Sequence, residues 1–203
     1  MELSEAVKSK IEEYVNGHRV VLFMKGNRQQ PMCGFSAKTV AALDSVLPEY
    51  LTVNVLDDPD VREGIKVYGN WPTIPQLYID GELMGGCDIV LNMLNSGELH
   101  QSLGVEAPDR TAPEVTITDT AAEKIGEVLE GHPGVGLFFN IDANWEARFD
   151  MGQPQGHEIV SESNGIKVYM DLGSAQRARG ATIDWVSNVR GEGLTIDLPG
   201  APE

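Results

Sequence analysis

Cysteine is nearly absent from the chain. Only Cys33 and Cys87 occur in 203 residues, which argues against a disulfide framework and points to a reducing cytosol. Basic residues are also few. Lys and Arg number 15 against 31 Asp and Glu, so the net charge is −16, and nucleic acid and anionic membrane surfaces are poor partners. The acid is not gathered in a tail: 15 acidic residues precede position 107 and 16 follow it. No stretch approaches the roughly 20 apolar residues of a membrane span. The opening "MELSEAVKSKIEEYV" mixes charged and apolar residues at helical spacing, without the apolar run of a secretory signal.

What is present falls into two halves. Residues 4–16 read as an amphipathic helix, capped by Ser4 and closed by Gly17. "RVVLFMKG" reads as a buried strand, "NRQQPM" as a loop, and "GFSAKTVAALDSVL" as a helix opened by Cys33. "YLTVNVL" is a second strand. "DPDVREGIKVYG" is a helix with Asp58 as cap and Pro59 in its first turn. "IPQLYIDGELMGG" is a hairpin turning at Asp80-Gly81, and "CDIVLNMLNSGELHQSL" is expected as one closing helix. This order predicts an α/β sandwich on a four-stranded mixed sheet over residues 1–106. "GVEAPDRTAPE" has no period and two prolines, so 107–114 is expected as a linker. In the domain expected over 115–203, "TITDTAAEKIGEVLEG" is taken as one short helix. Short β-like runs follow from Val135 to Leu198, with one more helix near 173–179.

The chemistry centres on "PMCGFS" at 31–36. A thiol reacts as thiolate, and a helix start and a nearby cation both lower its pKa. Cys33 opens a helix, and Lys25 leaves the preceding strand toward the same rim. A second cysteine often stands three places after the first in redox helices; here that place holds Ser36. No local disulfide can form, so the sulfur is left for a glutathione sulfur, a metal, or both. The alternative is an inert cysteine buried at a helix start.

A second cluster is "NWPTIPQLYIDGELMGGCD". Thr73-Ile74-Pro75 suggests a cis-proline at Pro75, leaving neighbouring backbone free to pair with an extended peptide. Gly85-Gly86 deliver Cys87 and Asp88 to a helix start, where amide N–H groups can hold a carboxylate and Asp88 an amino group. The plainer reading is a strand–turn–helix capped by Asp88.

Taken together, Lys25-Gly26, Cys33-Gly34-Phe35-Ser36, Trp71-Pro72-Thr73-Ile74-Pro75 and Gly85-Gly86-Cys87-Asp88 resemble the monothiol (CGFS-type) glutaredoxins, over about residues 1–105. The resemblance implies a thioredoxin-like fold and a glutathione-dependent homodimer around a [2Fe-2S] cluster. It makes Cys33 the metal ligand and redox-active centre. It places the glycine carboxylate of glutathione on Lys25 and Arg62, its cysteine on backbone near Ile74-Pro75, and its γ-glutamyl head on Cys87 and Asp88. Cys87 is then a backbone contact, or alternatively a disulfide partner of Cys33 under oxidation. The family passes clusters to apo iron–sulfur client proteins and pairs with BolA-like proteins. Thiolates suit such clusters, which commonly take four, so one protein sulfur per subunit leaves room for glutathione sulfurs. The five-residue insert "NRQQP" favours this carrier reading. A glutathione-dependent thiol-disulfide oxidoreductase using Cys33, removing glutathione from mixed disulfides, is the second reading, because exchange needs only one good attacking thiolate. A scaffold whose acidic β-domain docks a client is the third.

Residues 115–198 resemble the HesB-like, A-type iron–sulfur carrier domain, through "VTITDTAAEKIGEVLEG", "NGIKVYMDLGSAQRARGATIDWV" and "GEGLTIDLPGA". That family holds metal with three cysteines. One hairpin position is "DANWEARFD" here, and no cysteine lies beyond Cys87, so the metal site does not carry over. His132 and His157 sit beside Pro/Gly turns and read as surface residues. The domain is expected to be a cysteine-less carrier fold kept for protein contacts or dimerisation. Trp145 and Trp185 are candidates for an interface or for core filling.

Overall fold

The computed structural model describes residues 3–188 and 191–202. The chain forms two compact units that divide after Pro108.

The first unit is built on β1 (Val20–Met24), all five residues of which are buried. A strand buried on both faces needs a layer on each side, and alternation sorts its side chains between them. Val20, Leu22 and Met24 join one core with Val40, Leu43, Val90 and Leu99. Val21 and Phe23 join the other, with Ile11, Val15, Val61 and Ile65. The sheet order is β2-β1-β3-β4. β2 (Leu51–Asn54) is parallel to β1, and β3 (Gln76–Ile79) is antiparallel to it. β4 (Glu82–Gly85) returns through a two-residue turn with φ of 49° at Asp80 and 86° at Gly81, the positive-φ pair of a type I′ hairpin. The unit is thus a thioredoxin-like sandwich with a four-stranded mixed sheet.

Helix starts follow the capping residues. Ser4 Oγ accepts from Val7 N–H at the head of α1 (Glu5–Gly17). Asp58 Oδ1 accepts from Asp60 and Val61 N–H at 3.0 Å at the head of α3 (Pro59–Tyr68). α2 (Gly34–Asp44) begins at Cys33. The closing helix expected over 87–103 is instead two: α4 (Cys87–Ser96) and α5 (Glu98–Leu103). Gly97, at φ 85°, ends α4 in the left-handed region. The chain turns there so that Leu99 and Leu103 bury in the same core as Val90 and Met93.

The second unit is mostly β: a three-stranded sheet β11-β10-β5 and a four-stranded sheet β7-β6-β9-β8. The stretch expected as a single helix from Thr116 begins as strand β5 (Val115–Ile117), buried-exposed-buried, which pairs in parallel with β10 (Ala181–Asn188). Two β-branched residues flanking Thr116 give period two. Thr118 then caps α6 (Asp119–Glu130), its Oγ1 accepting from Ala121 N–H. β6 (Gly136–Ile141), β7 (Ala147–Gly152), β8 (Ile159–Ser163), β9 (Ile166–Met170), α7 (Leu172–Arg177) and β11 (Gly191–Asp197) complete it around Phe139, Val168, Met170 and Ile183. Residues 105–114 hold neither helix nor strand. From Asp109 they are tied to the second unit: Arg110 donates to His157 O at 2.8 Å, and Pro113 O accepts from Ser161 Oγ at 2.6 Å.

Candidate functional site

Cys33 occupies the cap position of α2 and is half-exposed. Its thiol pKa is lowered. The Ser36 backbone N–H is the main cause, Phe35 N–H and the Lys25 charge add to it, and partial burial works against them. Ser36, in the place of a second cysteine, is wholly buried, and its Oγ accepts from Lys25 N–H at 3.2 Å. That hydroxyl ties the first turn of α2 to the end of β1. Position 36 is therefore a buried anchor, and its hydroxyl also adds in a small way to the lowering of the Cys33 thiol.

The loop before Cys33 folds back on the strand. Gly26, at φ 83°, donates to Asn54 Oδ1 at 2.8 Å, and Met32 N–H donates to Lys25 O at 2.9 Å. A Cβ on Gly26 would meet Gln30 O and lie 2.7 Å from Met32 N, so the loop closes only around glycine. The expected insert "NRQQP" is this closed loop.

The Ile74-Pro75 bond is cis. The loop before it is held from beneath by Gln76, which has no exposure and which sequence reasoning passed over. Gln76 Nε2 donates to Trp71 O at 3.0 Å and Thr73 O at 3.1 Å, and Tyr78 Oη donates to Gln76 Oε1 at 3.0 Å. Burial pushes the Tyr78 phenol up, which keeps it the donor. The signal for Gln76 was a polar residue in the fully buried run Gln76–Ile79, a position that demands partners. Gly86 caps α4 and lies under Trp71: a Cβ there would stand 3.3 Å from Trp71 Nε1.

These element ends surround a groove of about 650 Å³. All seven residues singled out from the sequence line it: Lys25, Cys33, Arg62, Ile74, Pro75, Cys87 and Asp88. Cys87 is buried and Asp88 exposed. Lys66 also lines the groove. It stands four places after Arg62 on one helical face and pairs with Glu63 at 2.9 Å. The groove thus carries three cations, an exposed carboxylate and one acidified thiol. Two of its donors, Arg62 Nε and Trp71 Nε1, are buried without a hydrogen-bond partner. Unpaired buried donors are costly, so these fit an acceptor-bearing ligand such as a peptide thiol. Among the described residues no three His, Cys, Asp or Glu side chains converge as a metal site.

In the second unit, His132 Nδ1 lies 3.0 Å from Val128 O, and His157 Nε2 lies 4.0 Å from Glu158. Trp145 and Trp185 are both partly buried against its core.

The glutaredoxin family profile matches residues 20–84. A probable monothiol glutaredoxin 2 of Rickettsia felis is 50% identical over 93 residues, which is 46% of this chain and 89% of that protein. This chain belongs to the monothiol glutaredoxins. The mitochondrial glutaredoxin-related protein 5 of Danio rerio is 52% identical over 101 residues, covering 49% of this chain and 65% of that one. Monothiol glutaredoxin-S11 of Oryza sativa is 54% identical over 95 residues, 47% of this chain. The chain spans about a fifth of the length of that relative and of monothiol glutaredoxin-S17 of Arabidopsis thaliana. The solution structure of reduced poplar apo GrxS14 is 46% identical, covers 51% of this chain and 95% of that one, and has a TM-score of 0.46. Family membership rests on the N-terminal half. Among the described residues no helix is long and apolar enough to cross a membrane.

Proposed function

We propose that this monothiol glutaredoxin carries iron–sulfur clusters with glutathione as co-ligand. The observation that carries the reading is the half-exposed, acidified Cys33 thiol on a groove whose Arg62 Nε and Trp71 Nε1 lack acceptors. Lys25 and Arg62 suit the glycine carboxylate of glutathione. Backbone beside Ile74-Pro75 suits its cysteine, and the α4 start with Asp88 suits its charged γ-glutamyl head. A [2Fe-2S] cargo commonly takes four thiolates; Cys33 from each of two chains and two glutathione sulfurs make that set. Sulfurs on small molecules leave readily, which suits delivery to apo-proteins. BolA-like proteins and a reducing cytosol belong to the same reading. The mostly-β second unit is read as a HesB-like domain without that family's cysteines.

Anaerobic reconstitution with iron, sulfide and glutathione, followed by visible absorption and mass in solution, tests this reading. A brown dimer is expected, with a colourless monomer for Cys33→Ser and for the wild-type chain without glutathione. A wild-type chain that stays colourless with glutathione overturns it.

The lowered Cys33 pKa also favours the oxidoreductase reading. The Cys33 thiolate attacks the glutathione sulfur of a protein mixed disulfide, the protein leaves as thiolate, and Cys33 holds the glutathione in a new disulfide. A second glutathione thiolate attacks that disulfide, releasing oxidised glutathione and restoring Cys33. Brisk steady-state turnover of a glutathione mixed disulfide, without cluster assembly, selects it.

A further inference from the structure

The sandwich of the second unit is open along one side. β7 and β11 are end strands of their sheets, and among the described residues no ladder joins them. Their core-facing residues Phe149 and Leu194 are only partly buried, whereas Phe139, on the neighbouring β6, has no exposure. Between them, against α6, lies a cleft of about 100 Å³ with room for an aliphatic side chain or two. Val128, Leu129, Met151, Trp185 and Leu194 line it. Val128 is 51% exposed and Met151 49%, on elements whose other apolar residues mostly face inward. Lys124 is the charged residue that lines the cleft; it pairs with Glu127 at 3.0 Å and also feels Glu123 and Glu192. Three carboxylates thus stand against one ammonium, on a chain of net charge −16.

We propose that this cleft docks an extended cationic segment of another protein. Its apolar side chains would seat on Val128, Met151 and Trp185, and its Lys or Arg side chains would meet Glu123, Glu127 and Glu192. Charge decides the occupant: a second copy of this chain would bring the same carboxylates to the contact, and like charges disfavour it. Geometry decides the form. Two end strands offer backbone N–H and C=O groups to an added strand, and alternate side chains of that strand would point into the cleft. The site uses no groove residue of the first unit and is independent of the cluster reading.

The test is isothermal titration of the full chain with a twelve-residue peptide of alternating leucine and lysine. Binding is expected, at least tenfold weaker for a serine–lysine peptide and undetectable for a leucine–glutamate peptide. Val128→Ser with Met151→Ser, both at exposed positions, is expected to weaken binding at least tenfold with an unchanged circular dichroism spectrum. Glu123→Gln, Glu127→Gln and Glu192→Gln together should weaken it and flatten its salt dependence. Saturating glutathione and Cys33→Ser should change nothing, which separates failure here from failure of the carrier reading. Equal binding of the serine–lysine peptide, indifference to the Val128/Met151 pair, or no binding overturns the proposal. So does concentration-dependent dimerisation that the same pair abolishes, which would assign the cleft to a second copy.

Discussion

The groove of the first unit and the cleft of the second are both ringed by half-exposed side chains, but they are made from different parts of secondary structure. The groove is made of ends: the close of β1 at Lys25, the heads of α2 and α4 at Cys33 and Cys87, and the loop through Trp71 to Pro75. Helix ends leave backbone N–H groups unpaired, so a depression built from them is directional and able to tune a thiol, even with Trp71, Ile74 and Pro75 in its wall. The cleft is made of sides: one face of α6 and the core-facing rows of β7, β10 and β11. Sides carry the apolar stripe that would otherwise bury in a core, so this depression is apolar, with charge only at Lys124 and the carboxylates around it. Ends suit chemistry on a small ligand; sides suit contact with a chain.

Substitutions that damage one depression and spare the other sharpen this comparison. The largest effect is expected from Phe139→Ala. Phe139 has no exposure and stacks on Phe149 at 5.0 Å. Its loss should lower the stability of the second unit by about 3–5 kcal/mol in urea unfolding, with glutathione affinity unchanged. A parallel loss of glutathione binding would break the comparison. Next is Arg62→Ala, expected to weaken glutathione binding about tenfold, roughly 1.4 kcal/mol by calorimetry, without touching the leucine–lysine peptide.

A smaller effect concerns pH. The folded Cys33 thiol ionises below the ordinary cysteine range, so alkylation rate against pH should rise earlier than for a free cysteine. Lys25→Gln should move that rise to higher pH, because it removes one of the smaller causes of the lowering. The linked stability is fully present above the unfolded thiol's pKa and is lost as pH falls through the lowered folded value. The smallest effect lies at the start of the second unit. Asp109 is held at about 2, first by the Thr111 hydroxyl and amide and then by Arg179. Its stabilising contribution is present above the ordinary aspartate pKa and fades as pH falls toward about 2. Arg179→Ala should raise the Asp109 titration seen by NMR, and because both side chains are exposed thermal stability at neutral pH should fall only slightly.

Much of the site was legible because the chemistry-bearing residues sit beside punctuation. Cys33 follows a proline-bearing loop, Asp58 and Pro59 mark a helix start, and Gly85-Gly86 mark another. Gln76 was not legible as an anchor, since its partners are backbone carbonyls of a loop whose path the sequence does not state. Lys66 was legible only through its spacing from Arg62. Two elements were misread for related reasons. Gly97 looked tolerable inside a helix until the core drew Leu99 and Leu103 inward. Thr116 and Ile117 looked like a helix head until β10 supplied a parallel partner.

Residue order alone determined the secondary-structure rhythm, the two-part organisation of the chain and the placing of one thiol at a helix head with no second cysteine nearby. These are local properties, set by side-chain period, caps and the φ of glycine and proline. Which polar groups were left without partners, why Ser36 faces inward, and where the second sandwich stays open were decided by tertiary packing. A donor such as Arg62 Nε becomes unsatisfied, and a side chain such as Met151 stays exposed, only once distant segments have closed around them.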